Sequence, residues 1–189
     1  MSNLALKQKL SAKDYLEGEK HTPIKHEFVN GDVYAMGGAS DRHGLISINL
    51  ASILSLNLPD SCEVFVADMK LCYEKNNEQC FYYPDILVSC DESDNAPYFR
   101  EKPILIVEVL SDSTERLDRT EKRERYQKIP ELQEYALIAQ NTPKIEIFRR
   151  SQGWRCEEYS IEHSFRLESV DMTFKVSDIY RRVKIHTAK

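Results

Sequence analysis

The chain is short of glycine, with 6 in 189 residues, and holds a single tryptophan. Glycine-rich phosphate cradles are missing: neither GxGxxG nor GxxxxGK[ST] occurs, which removes the usual nucleotide-binding signatures. Neither GxSxG nor HExxH occurs either, so no serine-hydrolase or zincin motif is present. The 5 cysteines form no CxxC pair, and zinc or disulfide frameworks need tighter or paired spacing. They read as ordinary thiols in a reducing compartment, the cytoplasm. No apolar run approaches the length of a membrane span. The opening segment MSNLALKQKLSAKDYL lacks the apolar core and small-residue site of a secretory signal. Repeats, low-complexity tracts and interdomain linkers are also absent.

What is present suits one folded domain over residues 1–189. Apolar residues make up 41% and charged residues 30%, with a formal net charge of -5. An acidic balance disfavours a general nucleic-acid binder, which is usually basic. It does not exclude a nuclease, because local basic patches hold phosphate and net charge sets only the long-range field.

Along the chain, SAKDYLEG predicts a short helix with Ser11 as N-cap and Gly18 as stop. KHEFVNGDVYAM predicts a hairpin around Asn30-Gly31. Ser40 is placed to cap a helix running to about Leu58, with Ile46, Leu50, Ile53 and Leu54 at helical spacing. CEVFVADMKLCY, FYYPDILV and ILIVEVL each read as one strand, and EKNNEQ as a polar turn. Residues 113–128 are charged and helix-permissive. ELQEYALIAQ, KIEIFRR and GWRCEEYSI read as strands, and VSDIYRRVKI as a short terminal helix or turn. This order predicts an α/β or α+β fold, one mixed sheet flanked by helices.

Two of these apolar runs each carry a carboxylate, Asp85 in YYPDILV and Glu108 in ILIVEVL. An ionised carboxylate among buried aliphatics is costly without compensation. A divalent cation supplies it, and two carboxylates with a backbone carbonyl and waters suit Mg²⁺. The pair therefore points to metal-assisted phosphodiester hydrolysis. Solvent-facing or arginine-paired side chains would explain either residue alone. In the following helix, Lys122 shares a stripe with Asp118, Tyr126 and Ile129. There it is suited to orient water or stabilise charge on a phosphate, or simply to pair with Asp118. Arg116, Arg119, Arg123, Arg125 and Lys128 surround it, either as a grip for a polynucleotide backbone or, interleaved with Glu115, Glu121 and Glu124, as a solvated surface. His43 lies on the apolar stripe of its helix, as a base or phosphate contact or as a structural histidine. Glu27 adds a third carboxylate if its strand faces the same cavity. Asp68 is a weaker candidate, equally explained by a Lys70 partner or a solvated edge.

These residues, from DYLEGE through HEFVNGDVYAMGGASDRHG and YYPDILV to IVEVLSDSTERLDRTEKRERY and LQEYALI, resemble the Uma-type restriction endonuclease family of the PD-(D/E)XK nuclease superfamily. The resemblance covers nearly the whole chain. It implies a restriction-endonuclease-like core of mixed β-sheet flanked by helices, a Mg²⁺ or Mn²⁺ site, DNA as substrate, and often a homodimer. By position it makes Asp85 the PD aspartate and Glu108 the acid of (D/E)XK, with the Val109 carbonyl as a further metal ligand. Leu110 stands where the motif lysine usually does, and the lysine role moves to Lys122. Glu27 and His43 match further polar positions of the family. Asp112 departs from the proline often found after EVLS. Two other readings stay open: a nuclease-fold binding module without turnover, and a metal-dependent hydrolase of small phosphorylated substrates.

Overall fold

The computed structural model describes residues 9–75 and 77–185. The expectation of no signal segment rests largely on residues outside that range. Helix α1 (Ala12–Glu19) begins at the Ser11 cap, whose side chain accepts from Asp14 N–H. It runs one residue past Gly18 and ends at Lys20 in the right-handed region, so glycine is not its stop. Strands β1 (His26–Val29) and β2 (Asp32–Ala35) form the expected hairpin. Asn30 and Gly31 both have positive φ, 50° and 93°, which the two-residue turn demands. A Cβ at Gly31 would also meet Lys9 Cβ at 2.6 Å. Helix α2 (Asp41–Asn57) starts where Ser40 Oγ accepts from His43 N–H, and buries Ile46, Leu50 and Leu54.

The middle of the chain departs from expectation. CEVFVADMKLCY is two strands, β3 (Glu63–Val66) and β4 (Lys70–Lys75). FYYPDILV is also divided, between β5 (Glu78–Tyr82) and β6 (Ile86–Ser89). The turn at EKNNEQ joins β4 to β5, and Asn76 within it lies outside the described residues. Each divided run passes from one sheet to another. At the first break Ala67 takes φ 58°, and at the second Pro84 removes a ladder donor and holds Tyr83 extended. The two breaks lie side by side, joined by Ala67 N–H donating to the Asp85 carbonyl at 3.1 Å.

The rest follows as β7 (Phe99–Arg100), β8 (Leu105–Leu110), α3 (Glu115–Leu117), a π-helical turn over Asp118–Lys122, and α4 (Arg123–Tyr126). Strands β9 (Glu134–Ala139), β10 (Lys144–Arg149) and β11 (Cys156–Ser160) match expectation. A hairpin, β12 (Ser164–Leu167) with β13 (Met172–Lys175), precedes α5 (Val176–Ile179).

Instead of one mixed sheet there are two large ones. The first has order β2-β1-β5-β4-β7 and the second β11-β10-β9-β8-β6-β3, with β8 and β9 parallel. The α3–α4 segment is the β8-to-β9 crossover and lies between the sheets. There Tyr126 packs with Leu71, Tyr73 and Tyr82 of the first sheet and Leu87, Ile106 and Leu137 of the second. The other face of the second sheet packs on α2, α5 and the β12–β13 hairpin. Tyr15 of α1 packs on the outer face of the first sheet with Phe28 and Phe81. No helix among the described residues is long and apolar enough to cross a membrane.

One cysteine expectation fails. Cys62 and Cys90, flanking the antiparallel pair β3–β6, are joined as a disulfide. Register explains the pairing: Glu63 lies opposite Ser89, so the residues just outside them face each other. The inference of a reducing compartment from free thiols therefore rests on Cys72, Cys80 and Cys156 alone. The bridge spans 28 positions, for which cross-linking the unfolded chain contributes roughly 2–4 kcal/mol. Cys62→Ser should lower the melting temperature in oxidising buffer and match the parent under dithiothreitol; equal melting in both buffers would show that the thiols do not pair.

Candidate active site

Three elements bring the candidate residues together. Asp85 sits at the sheet-crossing break after Pro84, immediately before β6. Glu108 is in β8, on the face that Ile106 and Leu110 turn toward α4, and is 3% exposed. Lys122 ends the π-helical turn and is 5% exposed. A π-turn widens the helix by one residue, a device common at functional sites.

The ammonium of Lys122 is shared by three carboxylates: Glu27 Oε1 at 2.9 Å, Glu108 Oε1 at 3.3 Å and Asp118 Oδ1 at 3.3 Å. Both sequence alternatives for Lys122 are thus present, since it pairs with Asp118 and also reaches the strand carboxylates. Glu108 Oε1 further accepts from Tyr126 OH at 3.1 Å, and its Oε2 accepts from Asp85 N–H at 3.3 Å. Asp85 Oδ2 accepts from Val109 N–H at 2.7 Å and lies 3.1 Å from His43 Nε2. Among the described residues no hydrogen bond reaches Asp85 Oδ1.

His43 reaches Asp85 because Ser40 fixes the start of α2. Ser40 Oγ accepts from His43 N–H at 3.1 Å and donates to Gln140 Oε1 at 2.5 Å, tying the helix start to the end of β9. Burial alone would lower the His43 pKa. The hydrogen bond and charge of Asp85 outweigh it and raise the pKa, helped by a backbone hydrogen bond to Val109.

Charge is unbalanced here. Among the described residues, Glu27, Asp85, Glu108 and Asp118 face only Lys122 and His43 as cations. Burial pushes the Glu108 carboxyl well up, with Asp118, Asp85 and Glu27 adding to the rise and Lys122 opposing it. Asp118 is raised by burial against the pull of Lys122. Burial would lower the Lys122 pKa, but Glu108, Glu27 and Asp118 hold it well above the ordinary lysine value. Glu27 Oε1 and Asp118 Oδ1 are buried without a hydrogen bond, although both face the ammonium at ion-pair distance. Buried oxygen acceptors with spare capacity and too little positive charge are what an added divalent cation would satisfy.

Other candidates fall elsewhere. Asp68 is solvent-exposed, with its side chain 84% accessible, and pairs with Lys25 rather than Lys70. Most of the arginines near Lys122 are engaged by neighbours. Arg119 pairs with Glu115 and Glu146, Arg125 donates to Tyr82 OH, and Arg123 lies over the Phe148 ring. Glu146, Cys156 and Glu158 bring their ligand atoms within 4.8 Å of one another on β10 and β11. Lys144 and Arg119 already neutralise that group. Sequence reasoning placed Asp118 and Tyr126 on the inward stripe. It missed that one adds a fourth acid and the other a donor to Glu108, although their spacing from Lys122 carried the signal.

A carboxyl whose folded pKa is raised binds more protons folded than unfolded, so stability falls as pH rises from its unfolded value near 4.3 through the folded one. Glu108→Gln should therefore melt higher than the parent at neutral pH without divalent cations, with the gain shrinking toward pH 4. A variant that melts lower at neutral pH would show that Glu108 is a net stabiliser there.

Known proteins resemble the chain over most of its length. Residues 12–178 match the Uma2 family, described as "Putative restriction endonuclease". Two uncharacterized Synechocystis proteins are each 36% identical to the chain. One, slr1290, aligns over 177 residues, 92% of either chain. The other, sll1609, aligns over 145 residues, 75% of this chain and 81% of that one. A crystal structure from Anabaena variabilis, titled "a putative nuclease belonging to DUF820", matches with a TM-score of 0.70 at 15% identity. It covers 89% of this chain and 96% of that one, a likeness that speaks for the fold. With the family match spanning most of its length, the chain belongs to the Uma2 family.

Proposed function

We propose that this protein is a metal-dependent DNA endonuclease that hydrolyses phosphodiester bonds at the Asp85–Glu108–Lys122 cluster. The observation that carries the reading is the shortage of positive charge around Asp85 and Glu108, in a chain whose family is described as restriction endonucleases. Asp85, Glu108 and the Val109 carbonyl would hold Mg²⁺ or Mn²⁺. A bound divalent ion would supply Lewis acidity at the phosphate and lower the pKa of water.

The protein groups divide the remaining work. Lys122 carries a raised pKa and stays an ammonium at neutral pH, so it acts as a donor and not as a base. From that position it would orient the attacking water and stabilise negative charge building on the phosphate oxygens. Glu27 of β1 and Asp118, one turn earlier on the same π-helical turn, hold the ammonium in place. His43 and the Val109 N–H both grip Asp85 Oδ2, which leaves Oδ1 to face a ligand. Tyr126 OH fixes Glu108 Oε1. Each group on the reacting phosphate is thus braced by a second group from a different element, the preorganisation that transition-state stabilisation requires.

Purified protein should nick or linearise plasmid DNA with Mg²⁺ or Mn²⁺ and lose activity in EDTA. Asp85→Asn should remove activity, and Lys122→Gln should reduce it about 10²–10³-fold. Either cation at a hundred times its dissociation constant should stabilise the parent by about 2.7 kcal/mol and leave Asp85→Asn unaffected. Cleavage that survives both substitutions would belong to a contaminant. A folded parent with neither cleavage nor cation-dependent stabilisation would be a nuclease-fold binding module.

A further inference from the structure

Two aromatic side chains stand in solvent among the described residues, Tyr34 and Tyr98, at 56% and 53% exposed. The Lys20 ammonium covers the Tyr98 ring, 5.5 Å from its centroid. Tyr34 has no such cover. Among the described residues no aromatic ring or cation lies against it, and no hydrogen bond reaches its hydroxyl. An isolated exposed apolar side chain is ordinary and by itself carries nothing. Position gives this one its meaning.

Strand β1 alternates between two environments. Phe28 packs with Tyr15 on the outer face of the first sheet, while Val29 packs into the core around Tyr126 and Glu27 reaches Lys122. Tyr34 is the direct antiparallel partner of Glu27. Such partners project to the same face, with Cβ atoms about 4.5–5.5 Å apart. The Tyr34 ring therefore stands on the Glu27 side of the sheet, next to a carboxylate that is itself 2.9 Å from Lys122 Nζ. Strand β2 is an edge of that sheet and all four of its residues are exposed, so the ring borders open space and not core. Residues 36–40 then lead into α2, whose first turn sets His43 against Asp85. Tyr34 and His43 are thus the two ends of one short connection along the rim of the carboxylate cluster. The acids on this face are already paired, Glu27 with Lys122 and Asp32 with Lys9. The uncovered ring is what this edge has to offer a ligand.

We propose that Tyr34 is a stacking platform for an unpaired base next to the scissile phosphate, so that the cluster takes single-stranded DNA, or an unpaired stretch of it, in preference to intact duplex. The platform rests on the nuclease reading and gives it a substrate class. In a duplex both faces of a base are occupied by its neighbours, so a ring can stack on it only after a step is opened, at a cost in free energy. An unpaired base presents its π face without that cost. Every base has such a face, so the platform selects for strandedness and not for sequence.

The test is binding of a fluorescein-labelled DNA single strand, and of the same strand in duplex, by anisotropy in EDTA across a salt series, for the parent, Tyr34→Leu, Tyr34→Trp and Tyr98→Leu. Leucine keeps apolar bulk on the exposed edge without a π face, so Tyr34→Leu should melt as the parent does. It should bind the single strand about 5- to 150-fold more weakly. Its salt dependence should match the parent, because no phosphate contact is lost, and its duplex affinity should be unchanged. Tyr34→Trp and Tyr98→Leu should keep the parent affinity. With Mg²⁺ or Mn²⁺ the parent should cleave the single strand faster than the duplex, and Tyr34→Leu should raise KM for the single strand with kcat retained. Parent-like single-strand affinity in Tyr34→Leu overturns the platform, as does an equal loss on duplex or in Tyr98→Leu. So does a Tyr34→Leu protein that melts well below the parent, which would make Tyr34 a structural residue. A parent that cleaves duplex at least as fast as single strand overturns the preference. Cleavage by the parent that Tyr34→Leu leaves untouched overturns the platform alone. A parent that neither binds nor cleaves DNA overturns the nuclease reading and the platform together.

Discussion

One buried ammonium shared by three carboxylates is the constraint around which the rest of the site is arranged. Lys122 lies almost wholly out of water, and it stays charged only because Glu27, Glu108 and Asp118 surround it. Those acids come from three elements, so the ion pairs also fix where β1, β8 and the α3–α4 crossover stand relative to one another. Removing the ammonium would leave three acids uncompensated, a change that in buried clusters costs about 3–5 kcal/mol. Three acids around one ammonium still leave the arrangement two positive charges short. Asp85 brings a fourth acid, and His43 answers it only when protonated. The site is therefore stable as protein yet electrostatically incomplete, a combination that favours a cation over a purely structural role.

Placing Asp85 in that field is the work of the two sheet crossings. A carboxylate inside an uninterrupted buried strand would have to point into one core or the other. Pro84 ends β5, and the chain re-enters pairing only at Ile86, so Asp85 falls where neither sheet claims its backbone donor. That N–H is given instead to Glu108 Oε2, and the Asp85 carbonyl accepts from Ala67 N–H of the neighbouring crossing. The same break that disrupts the ladder joins the two carboxylates. The π-helical turn does the corresponding job opposite, bringing Asp118 and Lys122 both inward.

Much of this was legible in the sequence, and the failures have physical causes. The hairpin at Asn30-Gly31, the Ser40 cap and the inward stripe of residues 118, 122 and 126 are local signals, and each was readable. The sheet crossings were not. YYPDILV and EVFVADMKL keep an apolar, β-forming composition through the break, because both segments are buried and only their hydrogen-bond partners change. The β12–β13 hairpin alternates, but over only four residues per strand, too short a run to stand out from its surroundings. Cysteine pairing depends on register between β3 and β6, which spacing along the chain does not encode. Glu27 was recognised as a candidate only on condition that its strand faced the cavity, a condition decided by the position of the first sheet.

The charge distribution resolves a tension that composition alone left open. An acidic chain looks poorly suited to a polyanion, and the arginine-rich helix looked like its remedy. Most of those arginines instead brace the protein, through Glu115, Glu146, Tyr82 and Phe148. Cations already satisfied by their own fold have little left to offer a phosphate. What matters for a bound strand is positive charge without an internal partner near the reacting carboxylates. Net charge is then a poor guide to the site: what counts locally is that four acids meet two cations there, a deficit that a divalent ion would make good.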